Sequence, residues 1–356
     1  MLCVLAIVIL VLMFCVSVLW VNRKKNRSIL HAHQQINAYE AQLSAIREAL
    51  SRSLTNDVVI SRVNNDFLAT VPCRHGTFKV NLSDVHVSRS LLYYGEWMED
   101  EIALLTKVLR KGDVVFDVGA NLGTHSIAFA KAVGSEGRVV AFEPQPLIAQ
   151  LLLDTIKLNE MNNLEVIQSV VSEPGAQRFS LDLKDKEKLI GNHAGVSFVD
   201  KEQSEGEIPS ICLDQLMPMT PRLIKIDAEG MELNVIKGAR KLIGSARPVI
   251  YAENHERKFS TPLLHALFEL NYDCYWHLVP AFNADNHLKQ AEDIWRGSGF
   301  NINMLCLPKE RNVPLKGLIR VESETEWIED RISIDYSHDM AKYRIPIQSL
   351  SGLECF

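Results

Sequence analysis

The sequence predicts an α/β fold built on a mostly parallel seven-stranded sheet with helices on both faces. Short apolar runs alternate with segments of helical period across residues 98–308. Strands separated by such helical crossovers pair in parallel, and their connections cover both faces of the sheet. Ligands of such sheets bind beyond the carboxyl ends of the strands, so candidate functional residues are sought there.

The predicted strands begin with DVVFDVG and RVVAFEP and continue with LEVIQSVV, RLIKIDAEG, RPVIYAENH, YDCYWHL and NMLCLP. The predicted helices between them are THSIAFAKAV, PLIAQLLLDTIKLNEM, MELNVIKGARKLI and TPLLHALFEL. Upstream, residues 57–97 contain short alternating runs that predict a small β-rich lead-in. The tail, residues 309–356, is polar, and its pattern predicts no role.

The composition is that of an ordinary globular protein. The chain has 356 residues, of which 47% are hydrophobic and 23% charged, and its formal net charge is -6. This charge provides no basic surface and argues against a nucleic-acid partner. The seven cysteines are odd in number and form no CxxC pair, which favours reduced thiols and argues against a zinc site.

Residues 1–21 contain no charged side chain and are long enough to cross about 30 Å of hydrocarbon as a helix. The alternative, a cleaved signal peptide, would need a positive start and a small-residue cleavage site, and neither is visible. We therefore expect a single-pass membrane anchor. The basic run NRKKNR follows at residues 22–27, so the positive-inside rule predicts that the catalytic part faces the cytoplasm.

Residues 22–56 show a heptad pattern. The apolar positions seven residues apart are Ile29, Ile36, Leu43 and Leu50, and those three residues after the first three are Ala32, Tyr39 and Ile46. This pattern predicts a coiled-coil stalk and hence a homo-oligomer. The alternative is a single amphipathic helix lying on the domain, which three heptads do not exclude.

The turn after the first core strand has the spacing D-x-G-x-N-x-G, formed by Asp117, Gly119, Asn121 and Gly123. It departs from the dinucleotide fingerprint G-x-G-x-x-G because the third glycine is absent. Glu143 ends the second strand twenty residues past Gly123, where a carboxylate can accept both hydroxyls of a ribose. The alternatives are a capping role for Asp117 and a surface position for Glu143. Because Asp117 and Glu143 occur together at these positions, a nucleotide site is favoured.

Three segments together resemble the FkbM-type S-adenosylmethionine-dependent methyltransferases. They are GDVVFDVGANLG, VVAFEP and LIKIDAEGMELNVIKGA, and KIDAEG is the most specific part. The family is a class I Rossmann-like group that acts largely on hydroxyl oxygens. The resemblance covers about residues 84–308, so the membrane leader, the stalk and the tail lie outside it.

The resemblance implies S-adenosylmethionine as cofactor and assigns its contacts. The residues expected to line its methionine end are Asp117, Gly119, Asn121 and Gly123. Glu143 is expected to bind the ribose. Ser169, at the start of the segment 169–172 after the third strand, is expected near the adenine.

Methyl transfer is an in-line displacement from a sulfonium, so the protein must align the acceptor oxygen and take its proton. The catalytic candidates at the same sheet edge are Asp227, Glu253 and His255. Asp227, Glu253 and Asn254 form a possible divalent-metal set, as in metal-dependent O-methyltransferases. Alternatively, His255 serves as a metal-free base. Glu229 is either part of this cluster or a carboxylate favoured by a helix N-terminus.

Further roles are expected for other polar and aromatic residues near this edge. Glu96 is expected either to close over the cofactor or acceptor or to lie on the surface. Tyr93, Tyr94 and Trp97 form an aromatic group that stacks on a sugar ring or simply packs in the core. Lys225 is expected to end its strand in a structural ion pair.

The sequence therefore predicts a membrane-anchored, cytoplasm-facing O-methyltransferase that uses S-adenosylmethionine. The expected acceptor is a hydroxyl of a glycan, a lipid-linked saccharide or a similar small molecule. Two alternatives stay open. An NAD-dependent oxidoreductase is disfavoured by Asn121 and the missing glycine, and an inactive membrane-tethered scaffold is disfavoured by the intact set Asp117, Glu143 and Asp227.

Overall fold

A computed structural model describes residues 58–63, 66–175, 178–181, 198–200, 208–296, 299–313 and 315–332, with positions 43, 46–49, 51–52, 334 and 344. The predicted anchor, residues 1–21, and most of the predicted stalk lie outside these residues. Within the described ranges, no helix combines the length and apolarity that crossing a bilayer requires.

The lead-in is an antiparallel three-stranded sheet followed by a helix. Its strands are β1 Val59–Val63, β2 Asp66–Cys73 and β3 Gly76–Asn81. These strands lie within residues 57–97, for which the sequence predicts a small β-rich lead-in. Helix α1, Val87–Tyr94, follows them and was missed, because a short run such as VSRSLLYY fits a buried strand as well as one helical face.

The later strands run to the end of the described chain. They are β4 Val114–Val118, β5 Arg138–Phe142, β6 Leu164–Ile167, β7 Val170–Val171, β8 Arg178–Leu181, β9 Phe198–Asp200, β10 Ile208–Ile211, β11 Leu223–Ile226, β12 Val249–Glu253, β13 Tyr272–Pro280, β14 Phe300–Pro308 and β15 Ile319–Arg320. The helices are α2 Glu99–Thr106, α3 Thr124–Val133, α4 Pro146–Leu158, α5 Glu232–Lys237, α6 Arg240–Ala246 and α7 Arg257–Glu269.

Within the described residues, the main sheet has eight strands in the order β15-β13-β14-β12-β11-β4-β5-β6. The strands from β6 to β12 in this order run parallel, and β14 enters antiparallel between β12 and β13. The prediction of a mostly parallel sheet is confirmed. The count exceeds the predicted seven because β15, in the predicted tail, pairs with β13.

The apolar strands are buried on both faces, which explains their nearly continuous hydrophobic runs. Val115, Val139 and Leu223 pack on one face with α3 and α4. Their neighbours Phe116, Val140 and Ile224 pack on the other face with α5, α6 and α7. The predicted helices on both faces are thus observed.

One predicted strand is divided in the structure. LEVIQSVV forms β6 in the main sheet and β7 in a second sheet of order β7-β10-β8-β9. The two parts separate where the Ser169 amide donates to the carbonyl of Ile167 at 2.9 Å, a three-residue turn that ends the ladder.

One predicted helix is also divided, because MELNVIKGARKLI becomes α5 and α6, with Gly238 between them. A Cβ at Gly238 would lie 2.0 Å from the carbonyl oxygen of Ser172. Glycine at this position therefore allows the segment after β7 to pack closely against the break between α5 and α6.

The described parts of the stalk and the tail pack on the domain. Ala49 is fully buried in the core, and the Arg52 guanidinium donates to the carbonyl of Leu92 at 2.8 Å. These contacts favour the amphipathic-helix alternative for residues 46–49 and 51–52, while the oligomer stays a prediction. Trp327 and Ile328 are buried in the second core cluster, so the domain continues past residue 308.

Candidate active site

The carboxyl ends of β4, β5, β11 and β12 border a cavity of about 460 Å³. This volume is in the range of small-molecule sites, and its position is the one at which open α/β sheets bind ligands. Its other lining residues include Met98 and Glu101 from the region of α2, with Ala281 directly after β13 and Asn301 in β14.

Glu143 lies in this cavity at the end of β5 and is 4% exposed. The amide of Asn121 donates to its Oε2 at 3.0 Å, and the amide of Gln145 donates to its Oε1 at 2.9 Å. Burial raises the pKa of Glu143 to about 7, although these two amides act in the opposite direction. Each oxygen keeps a lone pair for a further donor, which suits a ligand with two adjacent hydroxyls.

The turn after β4 brings Asn121 to Glu143. The amides of Gly119 and Ala120 both donate to the carbonyl of Phe142 at 3.0 Å, so the turn is fixed against the end of β5. Gly119 has φ of 76°, and a Cβ there would lie 1.7 Å from the carbonyl oxygen of Asp227. Only glycine fits this approach of the β4 turn to the β11 turn.

The four residues predicted at the methionine end divide into two groups. Gly119 and Asn121 line the cavity, whereas Asp117 and Gly123 lie outside its lining. Ser169, which was expected near the adenine, also lines the cavity. Asp117 is 0% exposed and accepts a hydrogen bond from Ser126 Oγ at 2.5 Å. This contact with the first turn of α3 matches the alternative in which Asp117 fixes the following turn.

Lys225, buried at the end of β11, joins the two turns electrostatically. Its Nζ lies 3.2 Å from Asp227 Oδ2 and 3.6 Å from Asp117 Oδ1, and it donates to the carbonyl of Gly119 at 3.3 Å. The predicted structural ion pair is thus present. Burial opposes the charge of Asp227, but Lys225 outweighs it and holds the pKa of Asp227 below its usual range. Asp227 is therefore ionised at neutral pH.

Two further carboxyl groups line the cavity beside Asp227. Burial, and next the negative charge of Asp227, raise the pKa of Glu253 well above its usual range. Burial, and next the charges of Glu253 and Asp227, raise the pKa of Glu229 to about 9. At neutral pH Glu229 therefore carries a proton and is a potential hydrogen-bond donor at the cavity.

Glu229 also has an unusual backbone, with φ of 52°. Glu232, in the first turn of α5, supports this turn: its Oε1 accepts from the amides of Ala228 at 3.0 Å and Gly230 at 3.2 Å. The helix N-terminal role considered for Glu229 therefore belongs to Glu232. Glu229 itself lies on a strained turn and lines the cavity.

His255 and Asn254 follow β12 but separate. His255 lines the cavity, is 39% exposed as a side chain, and places Nδ1 3.2 Å from Glu253 Oε1. Asn254 turns away from the cavity: its amide donates to Ser260 Oγ at 2.9 Å and contacts Met304 Sδ at 3.3 Å.

The structure thus does not bring Asn254 together with Asp227 and Glu253 as the possible metal set requires. Among the described residues, no group of three or more His, Cys, Asp or Glu side chains is arranged to hold a metal ion.

Sequence reasoning missed Glu101, on α2. Its Oε2 lies 3.1 Å from Nε2 of His125, and its Oε1 accepts from Asn303 Nδ2 at 2.9 Å and Asn301 Nδ2 at 3.3 Å. Glu101, His125 and Asn301 all line the cavity. Three distant segments supply these residues, so no local spacing could have indicated the cluster.

Glu96 takes neither of its predicted positions. It is buried outside the cavity lining, where its Oε2 accepts from Arg74 Nε at 2.8 Å and from the amide of His287 at 2.7 Å. Its Oε1 accepts from Asn283 Nδ2 at 2.7 Å. Glu96 is therefore a buried structural residue that joins Arg74 to the segment containing Asn283 and His287.

The predicted aromatic group is also divided. Trp97 lines the cavity and meets Trp295 edge-on, with ring centroids 6.0 Å apart. Tyr94 is fully buried, and its hydroxyl accepts from the amide of Ile294 at 2.8 Å. Of the three, Trp97 alone lies where a ligand would contact it, with Trp295 as a partner that sequence reasoning missed.

Residues 117–274, which include β4, Glu143, Asp227 and Glu253, match the family model of the methyltransferase FkbM domain. This part of the chain, less than half of its length, is similar to FkbM methyltransferase domains. Such domains belong to the S-adenosylmethionine-dependent methyltransferases. The cavity suits that cofactor because Glu143 lines it with one acceptor position left on each carboxylate oxygen, as the two hydroxyls of a ribose require.

The chain is similar to two curated archaeal proteins. The hexuronic acid methyltransferase AglP of Haloferax volcanii is 30% identical over 159 residues, which are 43% of this chain and 60% of AglP. The protein-L-isoaspartate O-methyltransferase 2 of Archaeoglobus fulgidus is 28% identical over 126 residues, 34% of this chain and 58% of that protein. The chain thus spans about 60% of the length of these relatives.

Among solved structures, the chain is similar to the methyltransferase FkbM of Methylobacillus flagellatus. The two share 18% sequence identity, over 62% of this chain and 53% of that protein, with a TM-score of 0.36.

Proposed function

We propose that the protein is an S-adenosylmethionine-dependent O-methyltransferase acting on a hydroxyl of a glycan, a lipid-linked saccharide or a similar small acceptor. The observation that carries this proposal is the buried Glu143 carboxylate, which two backbone amides orient at the cavity. The similarity to a hexuronic acid methyltransferase supports a saccharide acceptor. Trp97, at the cavity wall, offers an aromatic surface to a sugar ring.

The bound cofactor supplies an electrophilic methyl group on a sulfonium. Glu143 binds its ribose, and Gly119 and Asn121 line the part of the cavity next to it. Asp227 is the ionised carboxylate at the reacting end, and the half-exposed His255 lies where an acceptor can enter. Asp227 or His255 would take the proton of the acceptor hydroxyl as its oxygen receives the methyl group that the cofactor would supply, with the sulfur as leaving group.

The proposal includes attachment to a membrane through residues 1–21, with the catalytic domain in the cytoplasm, where the cofactor is made. The basic segment 22–27 supports this orientation. Protease added to intact cells should spare the domain. Digestion from outside would contradict the orientation.

Cofactor binding tests the function directly. Titration calorimetry with S-adenosylmethionine and with NAD should show binding of the first and none of the second. Glu143→Ala should lose about 1.5–3 kcal/mol of S-adenosylmethionine binding, roughly tenfold or more in affinity, because two charge-assisted hydrogen bonds are lost. Glu136→Ala, in the exposed turn before β5, is the matched control and should bind normally.

Three results would count against the proposal. Unchanged S-adenosylmethionine affinity in Glu143→Ala would remove the ribose assignment. Preferential binding of NAD would favour an oxidoreductase, and binding of neither compound would favour an inactive scaffold.

A further inference from the structure

Arg344, in the tail for which the sequence pattern predicts no role, bonds to two segments that surround the cavity. Its Nε lies 2.6 Å from Asp100 Oδ2, and its Nη2 donates to Asp100 Oδ1 at 2.6 Å. Its Nη1 donates to Asn283 Oδ1 at 2.5 Å. A guanidinium that engages both oxygens of one carboxylate forms the strongest and most directional type of ion pair.

Asp100 depends on this partner. It is 7% exposed, and its neighbours along α2 are Glu99 and Glu101. Burial raises the pKa of Asp100, and the hydrogen bond and charge of Arg344 oppose this rise. In the part of the chain that the structure describes, Arg344 is the cation paired with Asp100. Its loss would leave a buried carboxylate uncompensated, which is far more costly than losing an exposed ion pair.

The position of Asp100 is coupled to the cavity wall through α2. The next residue, Glu101, lines the cavity and is bonded to His125 on α3 and Asn303 on β14. Met98, immediately before α2, also lines the cavity and has φ of 46°. A shift of the start of α2 would therefore displace lining atoms directly.

The second contact reaches the segment 281–287. Asn283 donates through Nδ2 to Glu96, just before α2, and Glu96 in turn accepts from the amide of His287. Ala281, at the start of the segment, lines the cavity. Arg344 thus bonds to Asp100 on α2 and, through Asn283, to the buried network around Glu96.

We propose that Arg344 is a positioning residue of the cofactor cavity. It holds the start of α2 and the segment 281–287 in the arrangement that forms one wall of the cavity, without lining the cavity itself. The tail thereby takes part in cofactor binding. The inference rests on the proposed function, because cofactor affinity is its main readout.

The test uses the full chain with Arg344→Ala, and Arg331→Ala as the matched control. Arg331 is another tail guanidinium with two carboxylate partners, Glu322 and Glu326, and it lies outside the cavity lining. Calorimetry with S-adenosylmethionine should show about a tenfold loss of affinity for Arg344→Ala and no change for the control. Hydrogen exchange should accelerate in residues 99–106 and 281–287 but stay unchanged in α4.

Two further variants separate positioning from general stabilisation. Arg344→Lys should recover part of the affinity, because its ammonium supplies a positive charge but cannot bond both oxygens of the Asp100 carboxylate as a guanidinium does. Asp100→Asn combined with Arg344→Ala should recover most of it, because no buried charge is left without a partner. If Arg344→Ala does not fold, these two variants decide: wild-type affinity in Arg344→Lys, or no recovery in the double variant, would overturn the proposal.

Other outcomes are also decisive. Wild-type affinity in Arg344→Ala, or exchange that rises equally in α4, would overturn the positioning role. If the wild-type chain does not bind S-adenosylmethionine while Arg344→Ala still accelerates exchange only in residues 99–106 and 281–287, the proposed function fails and the role of Arg344 in holding this wall stands.

Discussion

Two turns at the same edge of the sheet hold carboxylates in opposite ways. After β5, Glu143 accepts from the amides of Asn121 and Gln145, with no positive φ at Glu143 itself. After β11, Asp227 and Glu229 lie close to Glu253, and Glu229 has φ of 52°. The first turn satisfies its carboxylate by hydrogen bonds, whereas the second concentrates carboxyl groups and backbone strain.

This difference indicates a division of labour. A carboxylate with satisfied backbone bonds is pre-organised to recognise a ligand. Backbone strain and a concentration of carboxyl groups with perturbed pKa values are typical of the part of a site that handles protons. We therefore propose that the β5 turn recognises the cofactor and that the β11 turn acts on the acceptor.

The largest expected effect tests the contact between the turn after β4, which binds Glu143 through the Asn121 amide, and the turn after β11. Gly119→Ala should reduce the free energy of unfolding by about 3 kcal/mol or more, because the new Cβ would lie 1.7 Å from the carbonyl oxygen of Asp227 at φ of 76°. Gly112→Ala is the matched control: its φ is 87°, but no atom lies within 4 Å of the added Cβ, so about 1 kcal/mol is expected. Equal losses in urea denaturation would show that the two turns are not in close contact.

The next effect tests the chemistry assigned to the β11 turn and to the end of β12. Asp227→Asn and His255→Ala should keep S-adenosylmethionine affinity but lower turnover roughly 10²-fold, because they act on the acceptor proton. Transfer of labelled methyl groups into a membrane extract measures this, with Asp154→Asn on the exposed side of α4 as control. Normal turnover in both variants would remove the catalytic assignment and leave the cofactor site intact.

The smallest expected effect measures the strain. Glu229→Gly should raise the free energy of unfolding by about 1 kcal/mol, because glycine tolerates φ of 52° and a buried carboxyl group is removed. Glu160→Gly, at an exposed position with φ of 53°, relieves backbone strain alone and should gain about 0.5 kcal/mol. A lower stability of Glu229→Gly than of wild type in thermal unfolding would contradict the comparison.

The sequence by itself determined the parallel core, because strand and helix periods are local and the strands are buried on both faces. It also determined that Glu143 and Asp227 follow strands of that core, since both stand next to their strands in the chain. The extent of α3 was predicted to the residue, from Thr124 to Val133.

Only the tertiary structure decided which side chains share the cavity. Asn254 and His255 are neighbours in sequence, yet the turn after β12 sends one to Ser260 and the other to the cavity.

Glu101 meets His125 and Asn303 from three separate segments, and Arg344 reaches Asp100 from the tail. Contacts of such sequence separation depend on how the helices and the sheet pack, and no local spacing encodes them.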